Sequence, residues 1–190
     1  MKKYLLVIAL LSPLVFMAQG KSFQLNKETP ELINQYVVIE RDSMTISDGY
    51  DKIIEWVNIT YNTPKEVIKS QLKDEYIRIE GINQSMTSQK ILGRKFSYKG
   101  KYSLTFEFKE NKIKMELTNL QIYYEGTKYT TGGWMNDNPS LASQTKKNGK
   151  TKKGKARFNQ GIIDSVNELR LSIQDYIDNK NKSIIKKNDW

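Results

Sequence analysis

GKYSLTFEFKENKIKMELTNLQIYYE, residues 100–125, is the stretch whose reading decides the fold. Tyr102, Leu104, Phe106 and Phe108 alternate with polar residues, the period-2 mark of a strand with one buried and one wet face. Glu110-Asn111 suits a tight turn, because asparagine tolerates left-handed backbone. Ile113, Met115 and Leu117 then alternate with Lys112, Lys114 and Glu116. A two-residue loop predicts the pairs Phe108–Ile113, Phe106–Met115 and Leu104–Leu117, all on one face, which fixes the register. After Leu117 the phase flips to Leu120, Ile122 and Tyr124. A bulge at Thr118-Asn119 restores the inward face and sets Leu120 opposite Tyr102.

The chain has 190 residues, with neither cysteine nor histidine. That removes thiol nucleophiles, disulfides, Cys/His zinc sites and the commonest general base. The formal net charge is +10 and the pI about 9.5. Such a balance suits nucleic acid, anionic lipid or acidic polysaccharide as partner, and equally suits solubility alone.

Residues 1–20 read as a signal peptide. Lys2 and Lys3 open it, Tyr4–Phe16 is almost wholly apolar, and Ala18-Gln19-Gly20 offers small residues for cleavage before Lys21 or after Ala18. The apolar run falls short of the roughly 20 residues a membrane span needs. The protein is therefore expected to be exported, periplasmic or secreted. Residues 21–34 form a polar, irregular lead-in. One domain follows over residues 35–178, and residues 179–190 form a polar tail with a small apolar island at Ile184-Ile185.

Within the domain, Gln35–Ile39 reads as a strand, with Val37 and Ile39 on one face and Tyr36 and Val38 on the other. Ser47 is placed as a helix N-cap. Tyr50, Ile53, Ile54, Val57 and Tyr61 follow at helical spacing, with Trp56 at the edge of the stripe. Thr63-Pro64 closes this helix. Strands are expected over Lys65–Leu72 and Glu75–Ile82, with Lys73-Asp74 at the turn between them. Residues 83–90 read as a polar loop or weak edge strand, and Ile91–Tyr98 leads into the hairpin. Residues 126–157 are polar and Gly-rich, and predict a mobile basic loop. From Phe158 the helical period returns through Ile162, Val166, Leu169, Ile173, Tyr176 and Ile177, with Asn159 as cap and Phe158 stapled to Ile163. The fold class is α+β: an antiparallel sheet with two helices packed on one face, in the order β-α-β-β-β-β-α. Its buried side holds Tyr102, Leu104, Phe106, Phe108, Ile113, Met115, Leu117, Leu120 and Ile122.

SDGYDKIIEWVNITY, EYIRIEG and KYSLTFEFKENKIKMELTNLQI, in this order of elements, give Gln35–Glu125 a resemblance to a bacterial family, domain of unknown function 4468. The resemblance implies a TATA-binding-protein-like fold, with Phe158–Ile177 as its second helix. It carries over no catalytic residue. The basic loop departs from a compact version of that fold. Fold analogy is no evidence for DNA binding, and the export signal argues against it.

No motif implies a catalytic centre, a metal site or a cofactor. Gly149-Lys150-Thr151 matches the end of a P-loop, but Gln144 stands where the pattern needs glycine. Asp48 with Asp51, Glu40 with Asp42, and Asp74-Glu75 are too scattered for a glycosidase pair or metal cage. Trp56 reads as a core-edge aromatic in preference to a ligand platform. Trp190 ends the chain as in outer-membrane barrels, but there are too few strands for one. The one functional feature is an acid-free basic run of Lys146, Lys147, Lys150, Lys152, Lys153, Lys155 and Arg157, with Tyr129 and Trp134 upstream for stacking. The leading expectation is an exported, non-enzymatic binding or interaction module whose partner is an envelope protein or polyanion. A second is a binder of polyanions or anionic membrane surface through residues 146–157. A third is an exported hydrolase, which lacks a nucleophile motif.

Overall fold

The structure, a computed structural model, describes residues 22–26, 32–129, 131–136 and 152–179. The expected leader, half of the expected basic loop and most of the tail lie outside the described residues. The elements are β1 (Tyr36–Glu40), α1 (Ile46–Thr60), α2 (Pro64–Val67), β2 (Ile68–Leu72), β3 (Tyr76–Ile91), β4 (Arg94–Lys109), β5 (Lys112–Tyr124), β6 (Gly133–Asn136) and α3 (Lys153–Asp178). They form a six-stranded antiparallel sheet in the order β1-β5-β4-β3-β2, with β6 also on β5. The two long helices, α1 and α3, share one face of the sheet with the core. The α+β class and the helix-on-one-face arrangement are those expected from the sequence.

The β4–β5 hairpin has the predicted register. Phe108 pairs with Ile113, Phe106 with Met115, Leu104 with Leu117 and Tyr102 with Leu120, and the register shifts next to Ser103. Thr118 fills the bulge and donates its hydroxyl to the Ser103 carbonyl at 3.2 Å. The predicted inward residues are buried except Leu117, which is half-buried. Asn111 takes the left-handed conformation at φ 63°. It also ties the turn to the loop after β1. Its N–H donates to Met44 O at 2.8 Å, its carbonyl accepts from Arg41 N–H, and its Oδ1 accepts from Met44 N–H at 3.2 Å. Val37 and Ile39 of β1 are fully buried, and Tyr36 and Val38 face away as expected.

Several boundaries differ from the sequence reading, each for a local reason. The N-cap of α1 is Thr45, not Ser47. Thr45 Oγ1 accepts from the Asp48 N–H at 3.1 Å, while Asp48 Oδ2 accepts from the Thr45 N–H at 3.3 Å, a reciprocal capping box. Pro64–Val67 is a helical turn with proline at its start, so β2 begins only at Ile68. Of the two readings of residues 83–90, loop or weak edge strand, the strand is the one formed. These residues belong to β3, which pairs with β4 from Tyr76 to Ile91 around an irregularity between Asn83 and Thr87. At that irregularity Met86 lies over Gly100, where a β-carbon would come within 2.5 Å of its sulfur. Part of the lead-in is also built into the fold. Phe23 is buried, and its N–H and C=O bond Asn167 Oδ1 and Nδ2 of α3 at 2.8 and 3.0 Å.

Helix α3 begins at Lys153, five residues before the expected start. Asn159 is buried within the helix and is not its cap. Phe158 lies on the helix itself, so there is no staple from outside it. The helix is held to β3 by polar contacts at the irregularity. Thr87 Oγ1 donates to Phe158 O at 2.6 Å, and Ser165 Oγ donates to Met86 O at 2.8 Å. Gly161 permits this approach, since a β-carbon there would lie 2.6 Å from Thr87 Oγ1. Between the helices and the sheet, Tyr61 and Tyr102 share a hydroxyl bond of 2.8 Å. Burial, with a smaller effect from Tyr102, pushes the Tyr61 hydroxyl far above its ordinary pKa. Burial also raises Tyr102, although the bond from Tyr61 opposes that shift.

Candidate functional site

The charges of this fold are sorted along the long axis of the sheet. At the end where β4 turns into β5, cations meet acids. Lys112 pairs with Glu40 at 3.2 Å, Lys114 with Glu107 at 3.1 Å and Glu116 at 2.8 Å, and Arg41 with Asp178 at 3.8 Å. The hydrogen bond to Glu116, above all, raises the Lys114 pKa. A shallow depression of about 560 Å³ on the open sheet face lies here, lined by Tyr36, Val38, Glu107, Lys109, Glu110, Lys112 and Lys114. Its charges largely compensate one another.

Near the opposite end, two segments carry cations and no acid of their own. From Gly81 to Phe106 the sequence holds Lys90, Arg94, Lys95, Lys99 and Lys101 and no carboxylate. From Lys152 to Ile163 it holds Lys152, Lys153, Lys155 and Arg157, again with none. The docking of α3 on the β3 irregularity brings these two segments together. Ser88, Gln89, Lys90 and Lys95 of the β3–β4 hairpin line a cleft of about 310 Å³ with Gly154 and Arg157 of α3. The cleft is open at Gly154, where a β-carbon would meet only Gln89 Nε2, at an ordinary contact of 3.9 Å.

The start of α3 is electrostatically unusual. Lys152 occupies the N-cap without a capping side-chain bond, and the first turn contains no acid. Cations therefore sit at the positive end of the helix dipole, where carboxylates would be stabilising. An anion in the cleft offsets both the dipole and the side-chain charge. The Lys155 ammonium lies 4.2 Å from the Phe158 ring centroid, which directs it back along the helix.

The sequence-predicted basic run is thus divided. Lys152, Lys153, Lys155 and Arg157 lie at the start of α3 and not in a loop, because the apolar stripe of α3 is anchored firmly enough to propagate the helix back to them. Lys146, Lys147 and Lys150 lie outside the described residues. Of the aromatics thought available for stacking, Tyr129 is 87% exposed and sits by Lys128. Trp134 belongs to β6, packs edge-on against Tyr123 at 5.3 Å and carries Lys101 over its ring at 5.1 Å. Neither lines the cleft. Lys90 and Lys95 were missed by the sequence reading. Their signal was the absence of any acid between Glu80 and Glu107, which only matters once β3 and β4 are seen to pair along their full length. Among the described residues no group of three or more Asp, Glu, His or Cys is placed to hold a metal ion.

An antiparallel sheet with two helices on one face defines an α+β protein of the TBP-like class. Residues 36–123 match the family described as domain of unknown function (DUF4468) with TBP-like fold. The fold is similar to that of a DUF4468 family protein from Bacteroides ovatus, with 12% identity, a TM-score of 0.59, and coverage of 80% of this chain and 90% of that one. It is also similar to a TBP-like protein from Parabacteroides distasonis, with 13% identity, a TM-score of 0.56, and coverage of 76% and 91%. At these identities the likeness concerns the fold alone. No curated protein matches the chain.

Proposed function

We propose that this protein is an exported, non-enzymatic binding module that holds polyanions at the end of the sheet where β3, β4 and the start of α3 meet. One observation carries the reading: cations from two distant segments line a single cleft that contains no acid. Unpaired charges of one sign are costly to bring together, and an anionic ligand recovers that cost. The expected export rests on Lys2-Lys3, the apolar run and Ala18-Gln19-Gly20. Phe23, close behind the expected cleavage site, is docked on Asn167 of α3, so cleavage there leaves this contact intact. Terminal sequencing of the native protein should begin at Gln19 or Lys21. Recovery of chains that start at Met1 contradicts export.

The binding reading is tested with K90Q/K95Q/R157Q. These side chains make no core contacts, so the melting temperature should stay within a few degrees of the original. The salt needed to elute the variant from heparin should fall clearly, because each cation neutralising an anionic group contributes to the salt dependence. Unchanged elution removes the cleft from the reading.

A further inference from the structure

The tip of the β3–β4 hairpin departs furthest from what its local structure asks for. Leu92 and Gly93 form the turn, with φ of 48° and 81°. Two-residue hairpin loops with both φ values positive favour Asn-Gly and Asp-Gly, because those residues tolerate left-handed backbone. In the next hairpin of this chain the left-handed position is taken by Asn111, at φ 63°. At position 92 the chain instead places leucine, and its side chain is 99% exposed. Leu92 gains neither turn chemistry nor burial within the fold. A residue that breaks a local rule without compensation inside the molecule points to a contact outside it.

The surroundings indicate the chemistry of that contact. Ile91 and Phe96 are 44% and 45% exposed. They are diagonal neighbours on one face, since Gln89 pairs with Phe96 and Ile91 with Arg94. Lys90, Arg94, Lys95 and Lys99 surround this apolar tip, and the cleft with Arg157 lies directly behind it. A soluble polyanion uses the cations but has no use for the apolar tip. A bilayer with anionic headgroups uses both: it accepts aliphatic and aromatic side chains at the acyl boundary and pairs its phosphates with the lysines and arginines around them. The long lysine and arginine stems let the charges stay at headgroup level while the tip goes deeper.

We propose that the β3–β4 hairpin tip is an anchor for the surface of an anionic phospholipid bilayer. Leu92 enters the acyl boundary, flanked by Ile91 and Phe96, while Lys90, Arg94, Lys95 and the cations of the cleft bind headgroup phosphates. This rests on the anion-binding reading of the cleft and names its partner.

The chain lacks cysteine, so the mature protein carrying L92C takes a single environment-sensitive fluorophore at the tip. K73C, in the turn at the other end of β3, serves as the control position. The probes are phosphatidylcholine vesicles with and without phosphatidylglycerol, and heparin. The label at 92 should shift to the blue on vesicles containing phosphatidylglycerol, and should not shift with pure phosphatidylcholine or heparin. The label at 73 should not respond. L92N suits the turn, so it should fold at least as well. It should weaken partition to phosphatidylglycerol vesicles by about tenfold or more, in line with removing one leucine from an apolar phase, while heparin elution stays as in the parent. Equal vesicle binding by L92N, with a tip label that stays in water, overturns the anchor and leaves the anion-binding reading standing. Failure of the parent to bind either heparin or phosphatidylglycerol vesicles overturns both.

Discussion

Phe106→Ala is expected to destabilise the protein by about 3–5 kcal/mol, the range for deleting a fully buried aromatic side chain. Phe106 has no exposed surface and stands opposite Met115 on one side and Ile77 on the other. Ile77, Met115 and Leu104 around it are themselves fully buried, so the cavity cannot be filled by water or by a mobile neighbour. Urea unfolding measures the loss directly. Thr105→Ala, on the adjacent open-face position, should change stability by less than about 1 kcal/mol. Equal losses for the two variants would contradict the register of the β4–β5 hairpin, and with it the assignment of the core face.

Trp56→Ala is expected to cost a similar amount, about 3–5 kcal/mol, for a different reason. Trp56 is the largest fully buried side chain, at 1% exposure, and it lies where α1 meets α3. Its Nε1–H donates to Ser172 Oγ of α3 at 3.1 Å, and its ring meets Tyr61 edge-on at 5.8 Å. Truncation removes packing from both helices and loosens the Tyr61–Tyr102 bond beside it. Trp56→Phe keeps most of the volume and should cost less than about 2 kcal/mol, mainly the lost bond to Ser172 and a small void. A loss under about 1 kcal/mol for the alanine variant would mean that Trp56 is a surface platform after all.

How far the fold was legible follows from where its information sits. The β4–β5 hairpin was readable to the residue, bulge included, because its two arms alternate apart from one phase flip, and one register puts Tyr102, Leu104, Phe106, Phe108, Ile113, Met115, Leu117, Leu120 and Ile122 on the same side. The second half of β3 was only half readable: residues 83–90 allowed a loop or a weak edge strand, and the structure has the edge strand, paired there with β4 alone. Between Asn83 and Lys90 the helix-facing positions are filled by Met86 and Thr87, and Thr87 is satisfied by the Phe158 carbonyl of a helix more than seventy positions away. A polar run of this kind leaves loop and strand open until its tertiary partner is known. The start of α3 was misplaced for the same reason. KKGKARF has weak helical signals of its own, and the helix extends through it because the turns that follow are anchored on β3. The N-cap error at Ser47 was a choice between two hydroxyls two residues apart, and the reciprocal bond with Asp48 decides for Thr45. Phe23 stood alone in a polar stretch, so its role in the core depended on Asn167, far along the chain. The candidate site shared this limit. Arg157 was visible as part of a run, while Lys90 and Lys95 joined it only through the pairing of β3 with β4 and the docking of α3.

The central claim is that anions are held in the cleft between the β3–β4 hairpin and the start of α3, whose lining contains no acid. Titration of the isotope-labelled mature protein with a short heparin oligosaccharide, followed by amide chemical shifts, tests it most directly. The account predicts shifts confined to Ser88–Phe96 and Lys152–Phe158, weakening as salt is raised, with Tyr36, Val38, Lys112 and Lys114 unmoved. Shifts centred on those four residues of the open face, or no shifts at all, would contradict it.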